Sequence, residues 1–257
     1  MIYAIIQARM NSSRLPGKVL LNICGLPELA HVVRRVREAK NVDKVILATT
    51  NTNNDDAIEQ CCIENNISCF RGSENDVLDR YFKAAQWVGV KEGDYVVRVT
   101  ADCPFIDAEV IDIVVEAALK SKCDYVSNTI NPTFPDGLDV EVFTFKALKV
   151  AWESARLLSE REHVTPFLYN HTEMFQTLNV ECESDYSNLR WTLDEKEDFE
   201  VINKVYEELY REDRLFNMED VLLLYKNRPE IFVKNSRYNR NEGYEKSLQQ
   251  DYKSGAY

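Results

Sequence analysis

At 257 residues, 45% of them apolar and 29% charged, the chain is long enough to bury its own core without a metal or disulfide staple, and its composition excludes disorder as a main theme. Its 43 acidic residues against 31 basic give a formal net charge of -12, which repels a nucleic-acid backbone and leaves any small anionic ligand dependent on a local cluster of cations or a divalent metal. Seven cysteines, an odd number without metal-type spacing, read as reduced thiols of a cytoplasmic protein, and no window approaches the roughly 18 apolar residues of a membrane span.

The first apolar run, 2-IYAII-6, predicts a buried strand, and the loop 8-ARMNSSRLPGK-18 follows it at once. Further strands are expected at 44-KVILATT-50, 67-ISCF-70 and 94-DYVVRV-99. Helical patterns lie between and after them, at 27–40, 54–66, 77–89 and 107–122. The first of these carries Leu29, Val32, Val33 and Val36 on one face. Such alternation is the signature of βαβ units and a parallel sheet with helices on both faces.

After residue 122 the pattern changes. Short strand-like pieces in 125–143 and 175–182 flank helical stretches at 144–157 and 160–171, which predicts an inserted β-containing subdomain over 125–185 and a surface for a homodimer. The core is expected to resume with a strand, 189-LRWTL-193, and helices at 195–210 and 217–229. The last stretch, 234–257, has one Leu and no Val or Ile, and reads as a polar C-terminal tail beyond a 1–233 domain.

In an open parallel sheet, ligands bind where strands end and loops leave for the helices. Three polar stretches sit at such ends: the opening loop, 100-TADCPFID-107 and 190-RWTLDEKED-198. The opening loop has neither the dinucleotide G-x-G-x-x-G nor the P-loop pattern. It offers a Pro16-Gly17 turn, backbone N–H groups, Ser13 and three cations, Arg9, Arg14 and Lys18. That set can wrap a triphosphate and neutralise a leaving pyrophosphate, the alternative being a solvated basic loop.

Asp102 stands where an apolar strand gives out, as a ligand for Mg²⁺ or as a turn former bonded to its own backbone. Asp194 repeats that position, and with Glu197 three residues on it also suits the N-cap of a capping box. Two such aspartates can clamp one Mg²⁺. Asp139 and Glu141 alternate on one strand face and are candidates for a metal or a sugar. Arg161, His163 and Arg190 are candidates for an acidic acceptor. Asp79 and Arg80 mark a helix turn that is either exposed or nucleotide-facing.

Taken in order, QARMNSSRLPGKVL, TADCPFID and RWTLDEKEDFEVI resemble the cytidylyltransferase-like proteins typified by spore-coat polysaccharide biosynthesis protein F, and more distantly the CMP-ketodeoxyoctonate and CMP-sialate synthetases. The resemblance implies a nucleotide-diphospho-sugar transferase fold, Rossmann-like and of GT-A type, with a mixed, mostly parallel sheet. It implies Mg²⁺-dependent transfer of a nucleotidyl group, CTP favoured, to a small anionic sugar or phosphorylated acceptor for surface polysaccharide or glycoconjugate synthesis. Carried over position by position, it puts Arg9, Arg14 and Lys18 on the nucleotide phosphates, Asp102 and Asp194 on Mg²⁺, and the backbone around Ala8 near the base. Arg98 and Thr100 would lie beside the nucleotide or acceptor, and REHVTPF on the acceptor side. The ketodeoxyoctonate enzymes carry QGDEP where this chain has TADCP, so base and acceptor are open. Two alternatives stand beside this reading: a glycosyltransferase with Asp139-Val-Glu141 as its metal motif, and a non-catalytic nucleotide-binding module.

Overall fold

The computed structural model describes residues 1–255. β1 (Ile2–Gln7), a small hairpin of β2 (Asn22–Ile23) and β3 (Leu26–Pro27), α1 (Glu28–Arg37), β4 (Lys44–Thr50), α2 (Asp56–Glu64), β5 (Ser68–Gly72), α3 (Val77–Trp87), β6 (Tyr95–Thr100) and α4 (Ala108–Ser121) form the first half. β7 (Tyr125–Ser127), β8 (Glu141–Thr144), α5 (Phe145–Ser154), α6 (Leu158–His163), α7 (Pro166–Asn170) and β9 (Thr177–Asn179) follow. Then come α8 (Lys196–Leu209), α9 (Met218–Asn227) and α10 (Glu242–Ser254).

One seven-stranded sheet has the order β5-β4-β1-β6-β8-β7-β9, with β8 antiparallel to both its neighbours and every other pairing parallel. Strand parity splits the core in two, because successive side chains leave on opposite faces. Ile2, Ala4 and Ile6 of β1 pack with Val32, Val36, Val114 and Val205 on one face. Tyr3 and Ile5 pack with Leu78, Tyr81, Phe82 and Leu148 on the other. A helix layer on each face covers β1 completely, so its run of apolar residues is unbroken.

Three expectations are corrected here. The stretch 125–185 is no separate subdomain on the sheet, since it contributes β7, β8 and β9 to that same sheet. The expected strand at 189–193 buries Leu189, Trp191 and Leu193 at a strand-like period, but its partner is a loop, through a single bridge between Asp136 and Arg190. The supposed tail holds α10, whose buried residues are the polar Ser247 and Asp251, four apart. Asp251 accepts from the backbone N–H groups of Leu158 and Ser159 at 2.8 and 3.0 Å, capping the start of α6. A helix docked through polar groups carries no apolar period to read.

The loop against 189–193 turns at Gly137, with a φ of 106°. A Cβ there would meet the Trp191 carbonyl carbon and oxygen at 2.7 Å and the Thr192 nitrogen at 2.8 Å. Gly137→Ala is therefore expected to cost roughly 3 kcal/mol, from backbone strain and overlap together, and to lower the thermal midpoint by about 5–10 °C. A midpoint unchanged in calorimetry would show that the loop has room to shift.

Candidate active site

A cleft of about 700 Å³ opens along the C-terminal ends of β1 and β6, where the strand order reverses direction about β1. The opening loop is folded back on itself, with Met10 O accepting from Ser12 N and Gly17 N, both at 2.9 Å. Asp55, 1% exposed, accepts from Met10 N at 2.8 Å and from the Thr49 and Thr50 hydroxyls at 2.9 and 2.6 Å, which ties the loop to the end of β4. Gly17, with a φ of 72°, then starts a short 3₁₀ turn over Lys18–Leu20 and delivers Lys18 inward.

Lys18 is 8% exposed, and its Nζ donates to Asp102 Oδ2 at 2.6 Å and to Asp194 Oδ1 at 2.7 Å. Burial opposes the ammonium charge, but the two carboxylates outweigh it and raise the Lys18 pKa. Burial would likewise raise the Asp102 carboxyl; Lys18 reverses this and holds it well below the usual carboxylate range. Asp102 O accepts from Leu193 N at 2.8 Å and Thr192 Oγ1 at 3.0 Å, which fastens the two aspartate-bearing segments together.

Asp194 sits just ahead of α8. The capping box expected at Asp194 and Glu197 falls one residue later, at Glu195 and Asp198. Asp198, fully buried, accepts from the backbone N–H groups of Asp194 and Glu195 at 2.9 and 2.8 Å and takes the Arg190 guanidinium in two bonds of 2.9 and 2.8 Å. Arg190 also reaches Asp136 at 3.3 Å. It lines the cleft but is bound as a brace for the Asp194 turn, not as a free acceptor ligand. Arg14 spreads over three carboxylates, Asp194 at 2.7 Å, Glu195 at 2.8 Å and Glu242 at 3.3 Å.

Beyond β6 the remaining candidates are largely paired. Glu141, 5% exposed, pairs with Arg98 and accepts from Tyr125 OH at 2.7 Å and Thr165 Oγ1 at 2.5 Å; Asp139 pairs with Arg240. Both carboxylates line the cleft, each held by an arginine. Burial, and then the carboxylate of Asp139, push Asp136 up to about 7. His163 meets Ser247 Oγ at 3.1 Å, and burial lowers its imidazole to about 4, so it is neutral at neutral pH.

Ala8, Arg9, Ser13 and Thr100 line the cleft. Arg80, expected on an exposed or nucleotide-facing turn, is 1% exposed and reaches the cleft, with one bond to Ser73 O at 2.8 Å and its Nε unpartnered. Burial lowers its guanidinium to about 10. Asp79 and Arg161 are not brought to the cleft. Asp79 accepts from Trp152 Nε1 at 2.9 Å and pairs with Lys83, while Arg161 clasps Asp76 ahead of α3 and Trp152 O.

Residues that sequence reasoning missed are Asp55, Asp198, Arg240 and Glu242. Asp198 had a signal, an acid three residues after Glu195, obscured by the neighbouring Asp194 and Glu197. Arg240 and Glu242 had none, since their segment reads as polar tail.

The family described as Cytidylyltransferase matches residues 3–239. An uncharacterised protein of Methanocaldococcus jannaschii is 40% identical over 221 residues, spanning 85% of this chain and 86% of its own length. The spore coat polysaccharide biosynthesis protein SpsF of Bacillus subtilis is 34% identical over 233 residues, spanning 88% and 95%. The solved structure of a cytidylyltransferase from Leptospira borgpetersenii superposes with a TM-score of 0.85 at 33% identity, covering 93% of this chain and 99% of the other.

Proposed function

The chain belongs to the cytidylyltransferase family, and from that premise we propose that it transfers the nucleotidyl group of CTP to a sugar acid or phosphorylated small molecule and releases pyrophosphate. The product would be an activated unit for a surface polysaccharide or glycoconjugate. The observation that carries this reading is the convergence of Lys18, Asp102, Asp194 and Arg14 at the reversal point of the sheet.

The donor set fits Mg²⁺. Asp102 and Asp194 converge on one point, held by Lys18 Nζ. Two carboxylates with room for substrate oxygens is the arrangement Mg²⁺ takes. Bound there, it would supply charge neutralisation at the reacting phosphate. Lys18 and Arg14 would release their carboxylates and turn to the phosphates, where their charge stabilises the departing pyrophosphate. An acceptor whose attacking oxygen is already ionised needs no general base. Asp198 and Arg190 hold the Asp194 turn while this exchange takes place.

The test is pyrophosphate release from CTP, ATP, GTP and UTP against a panel of sugar acids and sugar phosphates, with Mg²⁺ and then with a chelator. Turnover is expected with CTP, one acceptor class and Mg²⁺; no release with any pair overturns the reading. Glu242 competes with phosphate for Arg14. Glu242→Gln is expected to lower the KM for CTP by about two- to five-fold, the weight of a partly exposed ion pair, and an unchanged KM would mean that Glu242 does not compete.

We assign the protein to the cytoplasm; among the described residues no helix is long and apolar enough to cross a membrane. We also assign it a homodimer through the 125–185 stretch. Light scattering at the monomer mass of 29.8 kDa would remove that assignment.

A further inference from the structure

The cations that line the cleft divide into two sets. Lys18, Arg14, Arg98 and Arg190 are each held by at least one carboxylate. Among the described residues, Arg9 has one long ion pair, 3.8 Å to Glu162, and Arg80 bonds only to Ser73 O. Lys246 is exposed and, among the described residues, makes no ion pair.

Lys246 belongs to α10, which lies beyond the stretch matched to the family. Gly243, Lys246, Ser247 and Gln250, spaced as one helical face, all line the cleft. That face is fixed at several points. Asp251 caps α6, Ser247 bonds to His163 and, at 2.7 Å, to Glu162, and Tyr244 stands edge-on to His163 at 5.3 Å. Just before the helix, Arg240 pairs with Asp139, beside β8. Glu242 reaches back to Arg14 in the opening loop. The segment therefore spans from the triphosphate loop to the side of the sheet where β8, α6 and α7 lie, and presents an unneutralised ammonium to the cleft.

We propose that α10 is the acceptor-side wall of this site and that Lys246 receives the anionic group, carboxylate or phosphate, of the acceptor. The inference rests on the nucleotidyl-transfer reading for the word acceptor, and its test is independent of turnover. The full chain, its Lys246→Glu variant and its Lys246→Arg variant are titrated by calorimetry with sugar acids, sugar 1-phosphates and neutral methyl glycosides. Each titration is run with and without a non-hydrolysable CTP analogue. The wild type is expected to bind one anionic class, and the sugar-acid and sugar-phosphate arms tell which. Lys246→Glu should weaken that binding by about tenfold or more, the weight of a charge-assisted hydrogen bond, and Lys246→Arg should stay within about threefold. No anion binding by the wild type, equal binding of neutral sugars, or unchanged binding by Lys246→Glu overturns the proposal. A wild type that binds the anion but never releases pyrophosphate ends the nucleotidyl-transfer reading and leaves the Lys246 subsite standing.

Discussion

Asp102→Asn and Asp194→Asn are each expected to reduce pyrophosphate release at saturating substrate by on the order of 10³-fold, with the protein still folded. The size follows from the division of labour in the cleft. Neither aspartate is needed to build the sheet: Asp102 lies at the start of the loop between β6 and α4, and Asp194 precedes α8. Their carboxylates meet at Lys18 Nζ, at 2.6 and 2.7 Å, and at that shared point a divalent cation would take the place of Lys18 as their partner. An amide at either position keeps the shape and removes half the protein's negative charge from that point. Folding should tolerate the change, because Lys18 retains the other aspartate and the backbone bonds from Leu193 and Thr192 to Asp102 O are untouched. The measurement pairs steady-state turnover with a thermal midpoint on the same samples. Wild-type turnover in either variant would remove the metal assignment, and loss of the folded state would show that the pair is structural first.

The first half of the fold was legible because burial on both faces of a parallel sheet writes itself into sequence as short apolar runs, and covering helices as 3.6-residue stripes. Ile2–Gln7 and Val77–Trp87 are read this way without ambiguity. Legibility fails where partners are far apart in sequence. The run at 189–193 has a strand's period, yet pairs with the loop at Asp136, and nothing local announces that partner. At the site, Arg14, Lys18, Asp102 and Asp194 could be read because each follows a predicted strand. The pairing of Glu141 with Arg98 was not legible, because the two lie 43 residues apart, across an antiparallel ladder that alternation alone does not specify. Polar docking hid α10, since Ser247 and Asp251 are buried through hydrogen bonds and leave no apolar stripe.

Asp198→Asn should be among the most destabilising conservative substitutions in the chain, and it should disable the site from behind. Asp198 has no exposed surface and serves five donors: Arg190 through two nitrogens, the N–H groups of Asp194 and Glu195, and Asn235 Nδ2 at 3.0 Å. An amide removes the charge and turns one acceptor into a donor facing other donors. Arg190, 8% exposed at its side chain, then keeps only longer contacts among the described residues, Asp136 at 3.3 Å, Asn239 O at 3.4 Å and Asp194 at 3.8 Å. Breaking a buried pair from one side costs about 3–5 kcal/mol, because the surviving charge stays buried. For a chain of this length that is a fall of about 10 °C in the thermal midpoint. Turnover should fall too, since the Asp194 backbone loses its anchor and the carboxylate drifts from Asp102. Removing Arg190 as well, in Arg190→Met with Asp198→Asn, takes away the stranded cation, so the double variant should be more stable than the sum of the two single losses. The charge pair then accounts for stability, while turnover stays low in all three variants because the Asp194 turn remains unheld. A midpoint within a degree of wild type in Asp198→Asn would mean that Arg190 finds a full partner elsewhere, and additive losses in the double variant would mean that the two residues do not act as a pair.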